Sequence, residues 1–212
     1  LTKELAEAAK KANVKHFVFV STIKVYGEDY ELLTPLTECK PNDAYGKSKW
    51  MAEKALQELE SDDFTVSIVR PPLIYGLGVK GNMQKLIDMV DRRKFIPLGS
   101  INNKRSMVGL NNFIALLNRV IEVKKSGTFL VQDAQPISTT ALIAQIAKEK
   151  NKSIRLLAIP KVFRLILQKM APAIHKRLFG SLVVDDSATR EMLKFQPPFS
   201  FEEEIRLMVK NN

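Results

Sequence analysis

Tyr45 and Lys49, in Tyr45-Gly46-Lys47-Ser48-Lys49, set a phenol and an ammonium four residues apart. Pro41-Asn42-Asp43 has the residue types that open a helix, which puts both groups on one face, a turn apart. An ammonium beside a phenol favours the phenolate and lowers a pKa that is about 10 in the free side chain. Such a phenol is a general base toward a hydroxyl and, once protonated, a general acid toward a carbonyl. Upstream, Val20-Ser21-Thr22-Ile23-Lys24-Val25-Tyr26-Gly27 ends an apolar run in hydroxyl residues. Open α/β sheets hold their ligands at the carboxyl ends of strands, so Ser21 and Thr22 fall at a ligand's place. Taken alone, Tyr-x-x-x-Lys also describes an ordinary amphipathic pair on a helix.

The elements that must position these groups follow from periodicity. Residues 2–12 read as a helix, 14–20 as a buried strand and 21–41 as a long loop. Residues 43–60 read as a helix and 64–69 as a second buried strand. Alternating helix and apolar strand predicts a parallel, doubly wound sheet. Further on, 83–93 reads as a helix and 95–99 as a short extended piece. Asn111 or Asn112 can cap a helix running to about Val123, and 128–131 reads as a strand. Ser138-Thr139-Thr140 caps a helix over 140–150, 154–157 is a short strand, and Pro160 suits a first helical turn. Residues 162–174 are apolar but broken by Arg164, Gln168, Lys169 and Pro172, which predicts one or two amphipathic helices. A helix then runs to Leu193, and another over 201–209.

The ordered series resembles the extended short-chain dehydrogenase/reductase family. An apolar strand, Ser21-Thr22-x-x-Val25-Tyr26-Gly27, Thr37-Glu38, Pro41 and Tyr45-Gly46-x-Ser48-Lys49 stand in register with it. Within that family the likeness is to NAD-dependent nucleotide-sugar epimerases, dehydratases and reductases. The resemblance implies an α/β fold: a Rossmann-type doubly wound parallel sheet with a smaller α/β substrate-binding lobe. Residues 1–72 and about 110–135 would form the cofactor part, and about 73–109 and 136–212 the substrate lobe. It also implies a strand, a glycine-rich turn and a helix ahead of Leu1, on the order of 100 residues in all. Gly76-Leu77-Gly78-Val79-Lys80-Gly81 fits G-x-G-x-x-G, yet Pro71-Pro72 separates it from the strand and no acidic residue ends the next one.

The same resemblance implies the site. Thr22, Tyr45 and Lys49 would be catalytic, with NAD or NADP as cofactor held by Tyr45, Lys49, Pro72, Leu73 and Ile74. Thr22 would orient the sugar 4-oxygen, Tyr45 would exchange a proton with it, and hydride transfer would occur at C4. Arg70-Pro71-Pro72-Leu73-Ile74-Tyr75-Gly76 is similar to the family's Arg-Pro-x-Asn-x-Tyr-Gly segment, with Leu73 in place of an Asn that contacts the sugar diphosphate. Asn82, Met83, Phe95, Pro97, Arg105 and Arg177 would contact a UDP-sugar or related nucleotide sugar, the two arginines through phosphate. Dehydratases place Asp-Glu after the Thr, and here Ile23-Lys24 stand there, which leaves a 4-epimerase or a 4-keto-sugar reductase. Leu73 and the double proline resemble a subgroup acting on amino sugars for surface polysaccharides. A non-catalytic nucleotide-binding protein of the same fold is the alternative.

Composition bounds the rest. The chain has 212 residues, 45% hydrophobic, and a formal net charge of +10. No apolar run reaches the roughly 20 residues of a membrane span, so no stable membrane insertion is expected; a membrane-surface role for 162–174 is a secondary reading. The basic residues read as scattered, without an aromatic-interleaved stripe, which argues against nucleic acid. The single Cys39 suits a reducing, cytoplasmic setting, and His16 and His175 show no metal-ligand spacing. No targeting segment is recognisable, and a homodimer is compatible with the family.

Overall fold

The computed structural model describes residues 1–210, and their side chains apart from those of Lys161, Phe163, Ala173 and Arg177. In chain order the elements are α1 (Thr2–Lys11), β1 (His16–Val20), a 3-10 turn (Ile23–Tyr26), β2 (Leu32–Leu33), α2 (Ala44–Gln57), β3 (Thr65–Arg70) and β4 (Leu73–Tyr75). Next come α3 (Asn82–Arg92), β5 (Phe95–Ile96), β6 (Met107–Gly109), α4 (Leu110–Val123), β7 (Gly127–Leu130) and α5 (Thr139–Glu149). The chain continues through β8 (Arg155–Leu156), α6 (Lys161–Met170), α7 (Pro172–Phe179), β9 (Val183–Val184), α8 (Ser187–Leu193) and α9 (Phe201–Lys210).

These elements fall into two units. The first comprises Leu1–Leu73, Asn112–Gln132 and Val184–Pro198. Its centre is a parallel sheet in the order β1-β3-β7. His16 to Val20 lie beside Thr65 to Val69, and Ser67 to Arg70 beside Gly127 to Leu130. β3 takes the middle position because Val66, Ile68 and Val69 make it apolar on both faces, as parallel strands require. Its one buried hydroxyl, Ser67, donates to the Lys125 carbonyl at 2.6 Å and lies 2.7 Å from His16 Nε2, so burial costs it no hydrogen bond. Ala6 of α1 and Leu56 of α2 meet Phe64, Val66 and Ile68 in one apolar layer. α8 also belongs here: Thr189 Oγ1 accepts the Leu130 amide at 3.0 Å, and Arg119 donates to the Leu193 carbonyl at 2.7 Å. The sequence reading puts that segment in the smaller lobe. No apolar period separates it from its neighbours, and long-range bonds such as these, with the Gln132 amide on Asp186 at 3.1 Å, assign it.

The second unit comprises Ile74–Asn111, Asp133–Val183 and Phe199–Asn212. Its core joins Met83, Ile87 and Val90 of α3 to Leu142, Ile143 and Ile146 of α5 and Ile205 and Met208 of α9. β4 pairs with β6, and β5 runs parallel to β8. Tyr75 is buried here, donating to Asp133 at 2.6 Å, and burial together with that carboxylate pushes its pKa far up. The expected cap at Asn111 or Asn112 is not used. α4 starts at Leu110, Asn112 is fully buried inside it, and Asn111 donates to Glu204 at 3.0 Å.

Candidate active site

The site is built where β1 ends. Past Val20 the strand continues by one bond, Ser21 N–H to the Val69 carbonyl at 2.7 Å, and the chain then turns. Thr22 is extended, and its hydroxyl accepts the Lys24 amide at 3.3 Å, capping the 3-10 turn. Ile23 N–H donates to the Pro71 carbonyl at 3.1 Å, which ties this turn to the end of β3. Thr22 is 9% exposed and its neighbour Ser21 only 3%. Thr22 is thus the less enclosed of the two hydroxyls.

The helix carrying Tyr45 is seated on that same turn. Asp43 caps it, accepting the Gly46 amide at 2.6 Å on one oxygen and Lys24 Nζ at 2.5 Å on the other. The Gly46 hydrogen bond, then Lys24, hold the Asp43 carboxyl below the usual carboxylate range. Gly46 is required by close approach: a Cβ there would lie 2.7 Å from the Lys24 carbonyl oxygen. Tyr45, in the first turn, is 50% exposed, and the Lys24 ammonium lies 5.9 Å from its ring centroid.

Lys49 follows one turn later. Its Nζ donates to the Val20 carbonyl at 2.9 Å and lies 4.6 Å from the centroid of Phe19. The ammonium is therefore fixed at the carboxyl end of β1, with Thr22 two residues further along the chain. A third residue shares the face at the same spacing. Glu53 is fully buried and accepts Arg70 Nε at 3.1 Å on both of its oxygens, with Arg70 Nη2 also bonded. Arg70 closes β3, and its guanidinium stacks 4.7 Å from the centroid of Tyr26. Burial pulls the Arg70 pKa down most strongly of any one cause, but the Glu53 hydrogen bonds together with the charges of Tyr26, Glu53 and Cys39 outweigh it and push it up. Sequence reasoning did not single out Glu53. Its signal was there: Tyr45, Lys49 and Glu53 recur every fourth residue, and a carboxylate on the buried face of a helix needs a cation.

The remaining predicted residues divide between the units. In the first, Pro72 is buried between β3 and β4, and Leu73, which opens β4, is 47% exposed. In the second, Ile74 is half-buried, Asn82 is exposed at the start of α3, and Met83 is 1% exposed within the core. Phe95 and Pro97 are exposed on either side of buried Ile96. The Arg105 backbone exchanges hydrogen bonds with Ile137, its guanidinium donates to the Gly180 carbonyl at 3.4 Å, and burial lowers its pKa. The side chain of Arg177 lies outside the described residues. Gly76–Gly81 follows β4, which lies outside the three-stranded parallel sheet. Gly78 and Gly81 have positive φ but open space where a Cβ would stand. Gly78 and Gly81 serve a turn, whereas at Gly76 a Cβ would lie 2.5 Å from the Leu110 Cβ.

Residues 1–131 match the NAD dependent epimerase/dehydratase family. The chain is 38% identical over 213 residues to a UDP-glucose 4-epimerase of Vibrio cholerae, covering 95% of this chain and 64% of that protein. It is 27% identical over 164 residues to the N-acetyl-alpha-D-glucosaminyl-diphospho-ditrans,octacis-undecaprenol 4-epimerase of Escherichia coli O157:H7, covering 75% and 50%. Among solved structures, the UDP-glucuronic acid 4-epimerase from Bacillus cereus in complex with NAD superposes with a TM-score of 0.77 at 19% identity, over 99% of this chain and 65% of that one. That likeness is one of fold. The chain thus spans somewhat less than two thirds of the curated relatives it matches.

Proposed function

We propose, for a chain that belongs to the NAD dependent epimerase/dehydratase family, that the whole protein is a 4-epimerase of a UDP-hexose, with Tyr45 as its acid and base. The observation that carries the reading is Lys49, anchored on the Val20 carbonyl between the Tyr45 helix and the Thr22 turn. An ammonium has three N–H donors. Lys49 spends one on Val20, and two are left for a ribose, which fits the nicotinamide end of NAD or NADP. When bound, the nicotinamide supplies the oxidation and reduction at sugar carbon 4.

The chain's own residues supply orientation and proton traffic. The Thr22 hydroxyl, its position set by its bond from the Lys24 amide, donates to the sugar 4-oxygen. The exposed Tyr45, as phenolate, takes the proton from that oxygen and later returns it to the same oxygen; inversion at C4 requires the 4-keto sugar to present its other face in between. The Lys24 ammonium, 5.9 Å from the centroid of the Tyr45 ring, places positive charge beside the phenol. Pro72, Leu73 and Ile74 line the cofactor, while Asn82, Met83 through its main chain, Phe95, Pro97, Arg105 and Arg177 meet the nucleotide sugar. The cofactor-lobe and substrate-lobe roles then fall largely to the first and second units. The setting is cytoplasmic synthesis of surface-polysaccharide sugars, by a homodimer.

The test uses the whole protein and two assays. Interconversion of UDP-glucose and UDP-galactose without added nicotinamide is the expected result. Consumption of NADPH with a UDP-4-keto-6-deoxy amino sugar, and no interconversion, would make it a reductase. Activity in neither assay from folded protein would favour a non-catalytic role. A second substrate reading is favoured by the Escherichia coli relative, whose name gives it a sugar joined by diphosphate to undecaprenol. Turnover of such a lipid-linked sugar in preference to UDP-hexose would select it.

A further inference from the structure

We propose that α6 and α7 dock on the surface of an anionic lipid bilayer. The apolar residues of α6 lie on its outside. Val162 is 68% exposed, Leu165 58%, Ile166 48% and Met170 81%, and Ile174 of α7 is 51% exposed. Along α6 these positions recur at i, i+3, i+4 and i+8, which is one face of a helix. A contiguous apolar face of this kind in water calls for a cover.

Charge identifies the cover. Residues 150–184 hold eight Lys and Arg and no Asp or Glu, in a chain whose formal net charge is +10. Most of the chain's basic surplus thus falls in the stretch of sequence that carries α6 and α7. Arg164 and Lys169 flank the apolar stripe and are exposed. A second copy of the chain would bring two such basic tracts together, which like-charge repulsion opposes. Anionic lipid meets both features: headgroup phosphates take the cations, and the acyl boundary takes Val162, Leu165, Ile166 and Met170.

The pair is built to present this face. The Arg164 guanidinium lies 5.0 Å from the centroid of Phe179, joining α6 to α7. Leu178 and Phe179 pack on the core of the second unit, and Asn103 donates to the Leu178 and Gly180 carbonyls at 3.2 Å. One end is thus fixed while the apolar stripe of α6 stays outside. With 10 residues α6 is about 15 Å long, and among the described residues no helix is long and apolar enough to cross a membrane. The element lies on a bilayer and does not span it. The proposal does not depend on the catalytic reading, because its readout is partition and not turnover.

The test is vesicle flotation of the whole protein. Vesicles of phosphatidylcholine with about a third phosphatidylglycerol carry the protein upward, pure phosphatidylcholine does so weakly, and about 0.5 M salt releases it. Leu165→Asp with Met170→Asp lowers the bound fraction about tenfold or more, with an unchanged circular dichroism spectrum, since both side chains are exposed. Lys169→Gln weakens binding by a factor of about five. Three results would overturn the proposal: no flotation with anionic vesicles, equal flotation of the Asp variant, or a stable dimer that the Asp variant dissociates without any vesicle binding.

Discussion

Glu53 of α2 and Arg70 at the end of β3 form a fully enclosed ion pair, and this pair fixes the helix of Tyr45 and Lys49 to the sheet. The two groups are held by three hydrogen bonds and a ring stack on Tyr26, so neither charge is left without a partner. Removing one partner strands the other in the interior. Glu53→Ala is expected to cost about 3–5 kcal/mol of stability, read as a lower urea midpoint at unchanged slope. The double change Glu53→Leu with Arg70→Met removes both charges and recovers much of that loss. A single variant as stable as wild type would show that the pair does not anchor the helix.

Asp43 acts at the opposite end of the same helix. Asp43→Ala removes the cap on Gly46 and the ion pair to Lys24, and is expected to cost about 1 kcal/mol. Asp43→Asn keeps the capping oxygen and costs less, because the Lys24 pair is exposed and weak. The order of the two midpoints in thermal unfolding tests the assignment, and equal losses would count against it.

His16 adds a pH dependence. Burial, then the charge of Lys124, lowers its pKa in the folded protein. A depressed folded pKa means the unfolded chain binds the proton more tightly. The stabilising difference is complete above the unfolded value of about 6.5 and is lost as pH falls through the folded value. Denaturation midpoints measured between pH 8 and pH 5 should fall, and His16→Gln should flatten the fall. An equal slope in the variant would place the effect elsewhere.

How much of this was legible beforehand varied with the range of the interaction. Asp43 as a cap and the helix behind it could be read from Pro41-Asn42-Asp43, because a cap reaches three residues. A cap within Ser138-Thr139-Thr140 is readable for the same reason, and Ser138 provides it by accepting the Ala141 amide. Asn111 does not cap α4, because its partner, Glu204, lies 93 residues away, beyond the reach of any local pattern. Arg70 could be seen in sequence, but its pairing with Glu53 needs the helix laid against the sheet. The basic residues read as scattered in the sequence, and the stretch at 150–184 stands out only beside the exposure of Val162 and Met170.

The central claim is that Tyr45 moves the proton at the sugar 4-oxygen. The measurement that bears on it most directly is single-turnover conversion of UDP-glucose by the whole protein carrying Tyr45→Phe, alongside binding of the same sugar nucleotide. The expected rate is lowered by about 10²–10⁴, with binding within a few-fold of wild type, because the phenyl ring keeps the shape and loses only the hydroxyl. A variant that turns over at the wild-type rate would contradict it.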